Sequence, residues 1–337
     1  MTTFNSQPQL DMRNKAPFKI LVTGAAGFIG SNLCNRLVLL GFDVIGLDNL
    51  YSGDIENLEP INSSERFTFV KQDVMDPLDF QVDMIFNLAC PASPIWYQKD
   101  PIGTFKSSVL GTLNVLELAV RTKARVLQAS TSEVYGDPFE HPQPESYWGN
   151  VNPVGMRSCY DEGKRAAETL MFDFQRIYGL SIRVARIFNT FGPNMRLDDG
   201  RVVPNFIGSA LLNKPIEIYG DGSQTRCFCY IDDLIDALLR LMFLETDPLS
   251  PVNLGNPQET TMVEFANLII QLTGSSSDVV FRELPSDDPK QRKPDINFAK
   301  NLLNWEPKWK YEAGLVKTIE QIRQRIEKNL TYGELAK

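Results

Sequence analysis

The sequence predicts an α/β fold: a doubly wound parallel sheet, followed by a smaller mixed domain. Three observations carry that prediction. Short apolar runs alternate with helical repeats through the first half of the chain, the pattern of successive βα units. The first run, Phe18 to Thr23, enters a glycine-rich turn, Gly24-Ala25-Ala26-Gly27-Phe28-Ile29-Gly30. The second run, Phe42 to Leu47, ends in an acid, Asp48, about twenty residues beyond the start of that turn.

Taken in order, Phe18 to Thr23 reads as a buried parallel strand. The glycines let the backbone turn tightly and approach a pyrophosphate at a helix N-terminus. Ile29, Leu33, Leu37 and Leu40 then keep helical spacing. Asp48 is placed for a ribose 2′-hydroxyl, and no Lys or Arg lies between Asn49 and Gly53 to hold a 2′-phosphate. The expected cofactor is therefore NAD rather than NADP, bound by a Rossmann-type sheet.

Phe67 to Val74 is the third strand, with Asp73 near the adenine, and Val82 to Ala89 the fourth. A helix is expected from Thr104 to Val120 and a fifth strand from Ala124 to Ala129. That strand exits into Ser130-Thr131-Ser132-Glu133, at the end where such sheets bind ligands. Leu180 to Ile187 is the next strand, leading to Asn189. Beyond it come short strands at 217–219 and 279–281, and amphipathic helices at 234–244 and 263–272. The expected division is a flexible arm at 1–17, an NAD-binding domain at 18–189 and a substrate domain at 190–330, with interleaved segments.

Net charge is −8 with no basic run, which argues against nucleic acid and anionic membranes as partners. No apolar run is long enough to span a bilayer, and residues 1–15 lack the apolar core of a signal peptide. Five scattered Cys fit reduced thiols in a cytoplasmic protein. Cys227 and Cys229 read as alternation along one strand, and no metal site is expected. The single histidine, His141, sits in the Pro-flanked loop His141-Pro142-Gln143-Pro144, which excludes a Ser-His-Asp triad.

Tyr160 and Lys164 are four apart, on one face of a helix. A neighbouring ammonium lowers the pKa of a phenol, which can then take a proton from a sugar hydroxyl. Asn189, Arg201, Arg226 and Arg292 are candidates to clamp a diphosphate and a carboxylate.

The turn, the Ser/Thr run and Tyr-x-x-x-Lys together resemble the extended short-chain dehydrogenase/reductase superfamily. Within it, Cys90-Pro91-Ala92-Ser93-Pro94, Thr131-Ser132-Glu133-Val134-Tyr135-Gly136, Arg157-Ser158-Cys159-Tyr160-Asp161-Glu162-Gly163-Lys164 and Arg292-Lys293-Pro294-Asp295 resemble the UDP-glucuronate decarboxylases. The likeness runs from about residue 18 to 325. Asn87 and Ser108 depart from the family, which usually carries His and often Asn there.

The resemblance implies conversion of UDP-glucuronate to UDP-xylose through a C4-keto sugar, with NAD regenerated in each turnover. It implies Tyr160, Lys164, Thr131, Ser132, Glu133 and Arg292 as the catalytic set. It places the cofactor on Gly24, Gly27, Phe28, Ile29, Gly30, Asp48, Asn49, Ser52, Gly53, Asp73, Val74, Leu88, Ala89, Cys90, Ser107 and Ala129, with Tyr160 and Lys164. It places the UDP-sugar on Pro91, Lys106, Asn189, Arg201, Tyr219, Gly222, Arg226 and Arg292. Relatives that catalyse 4,6-dehydration carry Asp where Ser132 stands, and 4-epimerases need no carboxyl at Glu133. A non-catalytic NAD-binding regulator is the remaining alternative. A homodimer is expected, because the 104–120 helix is apolar on more than one face. Phe105, Val109, Leu113, Leu116 and Val120 lie on one side of it, with Leu110, Val115 and Leu118 elsewhere.

Overall fold

The computed structural model describes residues 18–283 and 292–335, so the expected arm at 1–17 lies outside the described residues. Six strands precede residue 190: β1 (Lys19–Thr23), β2 (Asp43–Asp48), β3 (Phe67–Lys71), β4 (Met84–Asn87), β5 (Arg125–Thr131) and β6 (Ile182–Ile187). Beyond them are β7 (Thr190–Phe191), β8 (Ile216–Tyr219), β9 (Thr225–Cys227), β10 (Cys229–Tyr230), β11 (Val252–Leu254), β12 (Glu259–Thr261) and β13 (Val279–Arg282). The helices are α1 (Phe28–Leu39), α2 (Pro94–Lys99), α3 (Pro101–Thr122), α4 (Ser158–Tyr178) and α5 (Val202–Leu211). They continue with α6 (Ile231–Phe243), α7 (Met262–Thr273), α8 (Asn297–Leu303) and α9 (Tyr311–Leu335).

The main sheet has seven parallel strands in the order β11-β6-β5-β4-β1-β2-β3. Its strands are apolar on both faces because both faces are covered. In β1, Ile20 and Val22 enter the core shared with α1 and α6, while Leu21 enters the core shared with α3 and α4. β11 and α6 come from after residue 190, yet they join or pack on this sheet. The remaining strands form two-stranded pairs, among them β8 with β13 and β9 with β12.

Three local expectations are corrected. The third strand stops at Lys71, short of Val74, and Asp73 stands in the loop beyond it. The helix expected at 104–120 starts at Pro101, because Asp100 caps it by accepting from the Gly103 N–H at 2.9 Å and proline suits the first helical position. Cys227 and Cys229 do not alternate along one strand. β9 ends at Cys227 and pairs with β12, β10 begins at Cys229 and pairs with β7, and Phe228 between them is buried as well.

α3 and α4 pack side by side through small residues. A Cβ on Gly163 of α4 would lie 3.0 Å from the Ser108 Cβ of α3; on another side of α3, a Cβ on Gly111 would lie 2.6 Å from Val74 in the loop after β3. Val115, Leu116 and Leu118 are buried. Phe105, Leu110 and Val120 stay outside, 41 %, 45 % and 36 % exposed.

Candidate active site

The chain runs outward from β1 to β3, then crosses to β4 on the other side of β1. A cleft is expected at such a reversal, at the carboxyl ends of the strands. Two cavities open there, one of about 980 Å³ and one of about 200 Å³, and both are lined by Gly24, Gly27, Leu88 and Cys90.

The glycine turn fits a phosphate group. Gly24 has a φ of +68°, and a Cβ there would press at 3.0 Å on the Leu88 carbonyl and the Ala89 nitrogen. A Cβ on Gly30 would lie only 2.0 Å from the Gly24 oxygen. α1 begins with no side-chain cap and no acid in its first turn. Its first N–H groups are thus available to an anion.

Asp48 accepts from the Ala26 N–H at 2.9 Å and the Leu50 N–H at 2.7 Å, and lies against Gly53. Asp73 accepts from the Asn49 side chain at 2.7 Å and the Met75 N–H at 2.8 Å. With Ser52, Val74, Ala89 and Ser107 they line the smaller cavity. A ribose and a base can be held there, so the residues fit a dinucleotide such as NAD.

The larger cavity gathers Phe28, Ile29 and Gly30 with Ala129, Thr131, Ser132, Glu133, Tyr160 and Lys164. Tyr160 is stacked flat on Tyr97, ring centroids 5.3 Å apart at 4°. Burial pushes its phenol well above the usual range, with the Cys90 sulfur and the Glu133 and Asp161 carboxyls adding to the effect. A hydrogen bond with the Thr131 hydroxyl acts the other way.

Lys164, expected to lower this pKa, is not among the largest influences on it. Its ammonium donates to the Ala129 carbonyl at 2.9 Å and stands 5.8 Å from the Tyr160 ring centroid. Desolvation of the phenol outweighs a charge held at that remove.

Glu133 lies in a short 3₁₀ turn after β5, Ser132–Tyr135, and its N–H donates to the Thr131 hydroxyl at 3.2 Å. Its carboxylate bridges two guanidinium groups. Arg157 donates to Oε2 at 2.6 Å, and Arg292 donates to Oε2 at 2.5 Å and also to Oε1. Asp161, 7 % exposed, faces the same cluster. Burial pushes its carboxyl up to about 7, helped by Glu133 and opposed by Arg157 and Arg292.

A polar ladder supports the site from behind. Ser130 donates to Glu168 at 2.5 Å, and Arg186 grips the same carboxylate at 3.0 and 2.8 Å. Arg186 also donates to the Tyr135 hydroxyl at 3.0 Å, which donates to Asn253 at 2.7 Å. The departures Asn87 and Ser108 serve local contacts. Asn87 accepts from Thr23 at 2.7 Å, and Ser108 lies 3.1 Å from the Cys90 sulfur.

Asn189, Arg201, Tyr219, Arg226 and Arg292 line the larger cavity, and the Arg201 guanidinium lies 5.8 Å from the Phe28 ring centroid. Three residues expected around the sugar nucleotide do not line the larger cavity. Lys106 is exposed on α3 and lines neither cavity. Gly222 lines neither; it has a φ of +78°, and a Cβ there would meet Val263 at 2.4 Å, so the turn accounts for it. Pro91 lines the smaller cavity, among the cofactor residues.

Sequence reasoning missed Tyr97, Arg157 and Asp161. For Arg157 a signal existed: it stands one helical turn before Tyr160, at the N-cap of α4. Tyr97 carried none, because its place depends on how α2 packs.

A family model described as NAD dependent epimerase/dehydratase family matches residues 20–255. The chain belongs to the NAD dependent epimerase/dehydratase family. NAD is accordingly its cofactor. Among relatives, UDP-glucuronic acid decarboxylase 5 of Arabidopsis thaliana is 53% identical over 309 residues, covering 91% of this chain and 90% of its own. UDP-glucuronic acid decarboxylase 1 of Xenopus tropicalis is 52% identical, covering 92% of this chain and 73% of its own. Among solved structures, the UDP-glucuronic acid 4-epimerase of Bacillus cereus, in complex with UDP-glucuronic acid and NAD, superposes with a TM-score of 0.82. It is 28% identical and covers 91% of this chain and 99% of its own. The epimerase/dehydratase fold thus extends over most of the chain.

The raised Asp161 carboxyl makes a prediction. Between the unfolded carboxyl range near 4 and the folded value near 7, the folded state binds the proton more tightly, so this residue lowers stability as pH rises through that window. Asp161→Asn cannot lose a proton. Its melting temperature should therefore gain on the wild type from about pH 4 to about pH 8. A constant difference across that range would show that Asp161 does not titrate there.

Proposed function

We propose that the protein decarboxylates UDP-glucuronate to UDP-xylose and CO2, oxidising and re-reducing C4 within one site. The observation that carries the reading is the Glu133 carboxylate bridging Arg157 and Arg292 in the cavity that also holds Tyr160 and Thr131. Two relatives named UDP-glucuronic acid decarboxylase, each more than half identical, support the substrate.

NAD, when bound, accepts the C4 hydride and later returns it, and its positive ring charge favours a phenolate in a low-dielectric site. Tyr160 takes the proton of the C4 hydroxyl, with Thr131 or Ser132 bonding the C4 oxygen. Lys164 holds the end of β5 through Ala129 and is poised for the ribose. The resulting sugar is a β-keto acid. Its C5–C6 bond breaks, CO2 leaves, and the electron pair becomes an enolate at C4–C5. Donors aimed at that oxygen lower the barrier. Arg292 and Arg157 offer positive charge to the sugar carboxylate, and Glu133 holds both guanidinium planes and handles the proton that C5 receives. The phenol then returns its proton to the C4 oxygen.

Ser132 in place of Asp argues against loss of water, and Glu133 argues against simple epimerisation. In this reading residues 18–189 hold NAD and 190–330 hold the UDP-sugar. The five free cysteines fit a cytoplasmic location, and no described helix is long and apolar enough to cross a membrane.

The test is mass spectrometry of the product from purified protein and UDP-glucuronate. Loss of CO2 without added NADH is expected; loss of water, or an unchanged mass, would contradict the reading.

The reading includes a homodimer, formed where Phe105 and Leu110 leave the outer face of α3 apolar. Sedimentation should give a dimer at micromolar concentration, weakened by Phe105→Glu. A monomer throughout would rule it out.

A further inference from the structure

We infer that Gln143 is a positioning residue for Arg292, and that it acts by clamping the segment from which Arg292 reaches Glu133. Gln143 stands in the loop after the 3₁₀ turn and lines neither cavity. It is 1 % exposed although its side chain is a polar amide. A buried amide is costly unless its groups are bonded.

Every polar group of this residue is engaged, and most bonds go to the Arg292 segment. Its backbone N–H donates to the Lys293 carbonyl at 2.9 Å, and its carbonyl accepts from the Asp295 N–H at 3.0 Å. The two segments meet here as a parallel bridge between Gln143 and Pro294. The side-chain oxygen accepts from the Lys293 N–H at 2.9 Å, and the side-chain nitrogen donates to the Glu140 carbonyl at 2.6 Å. Asn253, from β11, donates to the carbonyls of Gln143 at 2.9 Å and Asp295 at 3.1 Å. The Lys293 ammonium pairs with Glu259 at 2.8 Å, which fixes the next side chain of the segment.

The consequence is specific. Arg292 has a long, flexible side chain, and its guanidinium must arrive at Glu133 in a two-point geometry. Backbone bonds on the very next residue set where that side chain starts. Both the acceptor and the donor of an amide are used, which neither a carboxylate nor an apolar side chain supplies together. A displacement of about 1 Å at a reacting group is enough to cost orders of magnitude in rate.

The inference rests on the proposed decarboxylation. Wild-type protein that releases no CO2 defeats that reading before Gln143 is touched. Given an active wild type, the test is a double-mutant cycle between Gln143→Met and Arg292→Gln. Gln143→Met should lower kcat by about tenfold in the wild-type background, leave UDP affinity within about twofold, and add almost nothing in the Arg292→Gln background. Equal losses in both backgrounds, or no loss in the first, would overturn the inference. Gln143→Glu keeps the acceptor for the Lys293 N–H and guards against a methionine variant that fails to fold. Because it loses the donor to the Glu140 carbonyl, it should lose turnover as the methionine variant does and add almost nothing in the Arg292→Gln background; a folded Gln143→Glu with wild-type turnover, or with a loss that persists in the Arg292→Gln background, would equally overturn the inference.

Discussion

Glu133 holds two guanidinium groups that reach it from distant parts of the chain. Arg157 lies 24 residues ahead, at the entry to α4, and Arg292 lies 159 residues ahead, beyond the C-terminal strands. All three side chains are largely buried. Removing one partner of such a cluster leaves uncompensated charge and costs about 3–5 kcal/mol. The contact therefore joins the sheet end, the Tyr160 helix and the C-terminal region into one site. Burial is what chiefly keeps Asp161 from ionising beside this cluster, and the neighbouring Glu133 carboxylate adds to it.

The ladder from Ser130 through Glu168, Arg186 and Tyr135 to Asn253 gives that cluster a rigid backing. It crosses β5, α4, β6 and β11. β11 comes from the second half of the chain, so the outermost strand of the main sheet also helps carry the segment that presents Arg292. Fold and chemistry meet at Asn253, which takes the Tyr135 hydroxyl on one side and the Gln143 loop on the other.

What was legible in the sequence was local. The β1 run and the glycine turn could be read because strand periodicity and a turn's steric demand act over a few residues. Asp48 could be read because its distance from the turn is set by one βα unit. Tyr160 and Lys164 could be paired because helix geometry puts them on one face, and they do line one cavity. What Lys164 does to Tyr160 was not legible. That depends on burial and on the Ala129 carbonyl, neither of which is written in the spacing. Tyr97, Arg157 and Asp161 joined the site only through tertiary packing. For Gly222 the residue type alone decides nothing, because a left-handed turn and a close ligand approach demand the same residue. On α3, periodicity identified an apolar surplus, but which part of it stays exposed, Phe105, Leu110 and Val120, depends on packing.

The epimerase/dehydratase family is NAD dependent, and in the proposed decarboxylation the distinguishing events lie at C4 and C5 of the sugar. The most direct measurement is turnover of UDP-glucuronate in deuterium oxide, with the position of label in the product read by NMR. The account predicts one deuterium at C5, where the enolate is protonated, and none at C4, whose hydrogen leaves and returns as hydride. Deuterium at C4 would mean that this hydrogen exchanges with solvent, and would contradict the roles given to Tyr160 and its cluster.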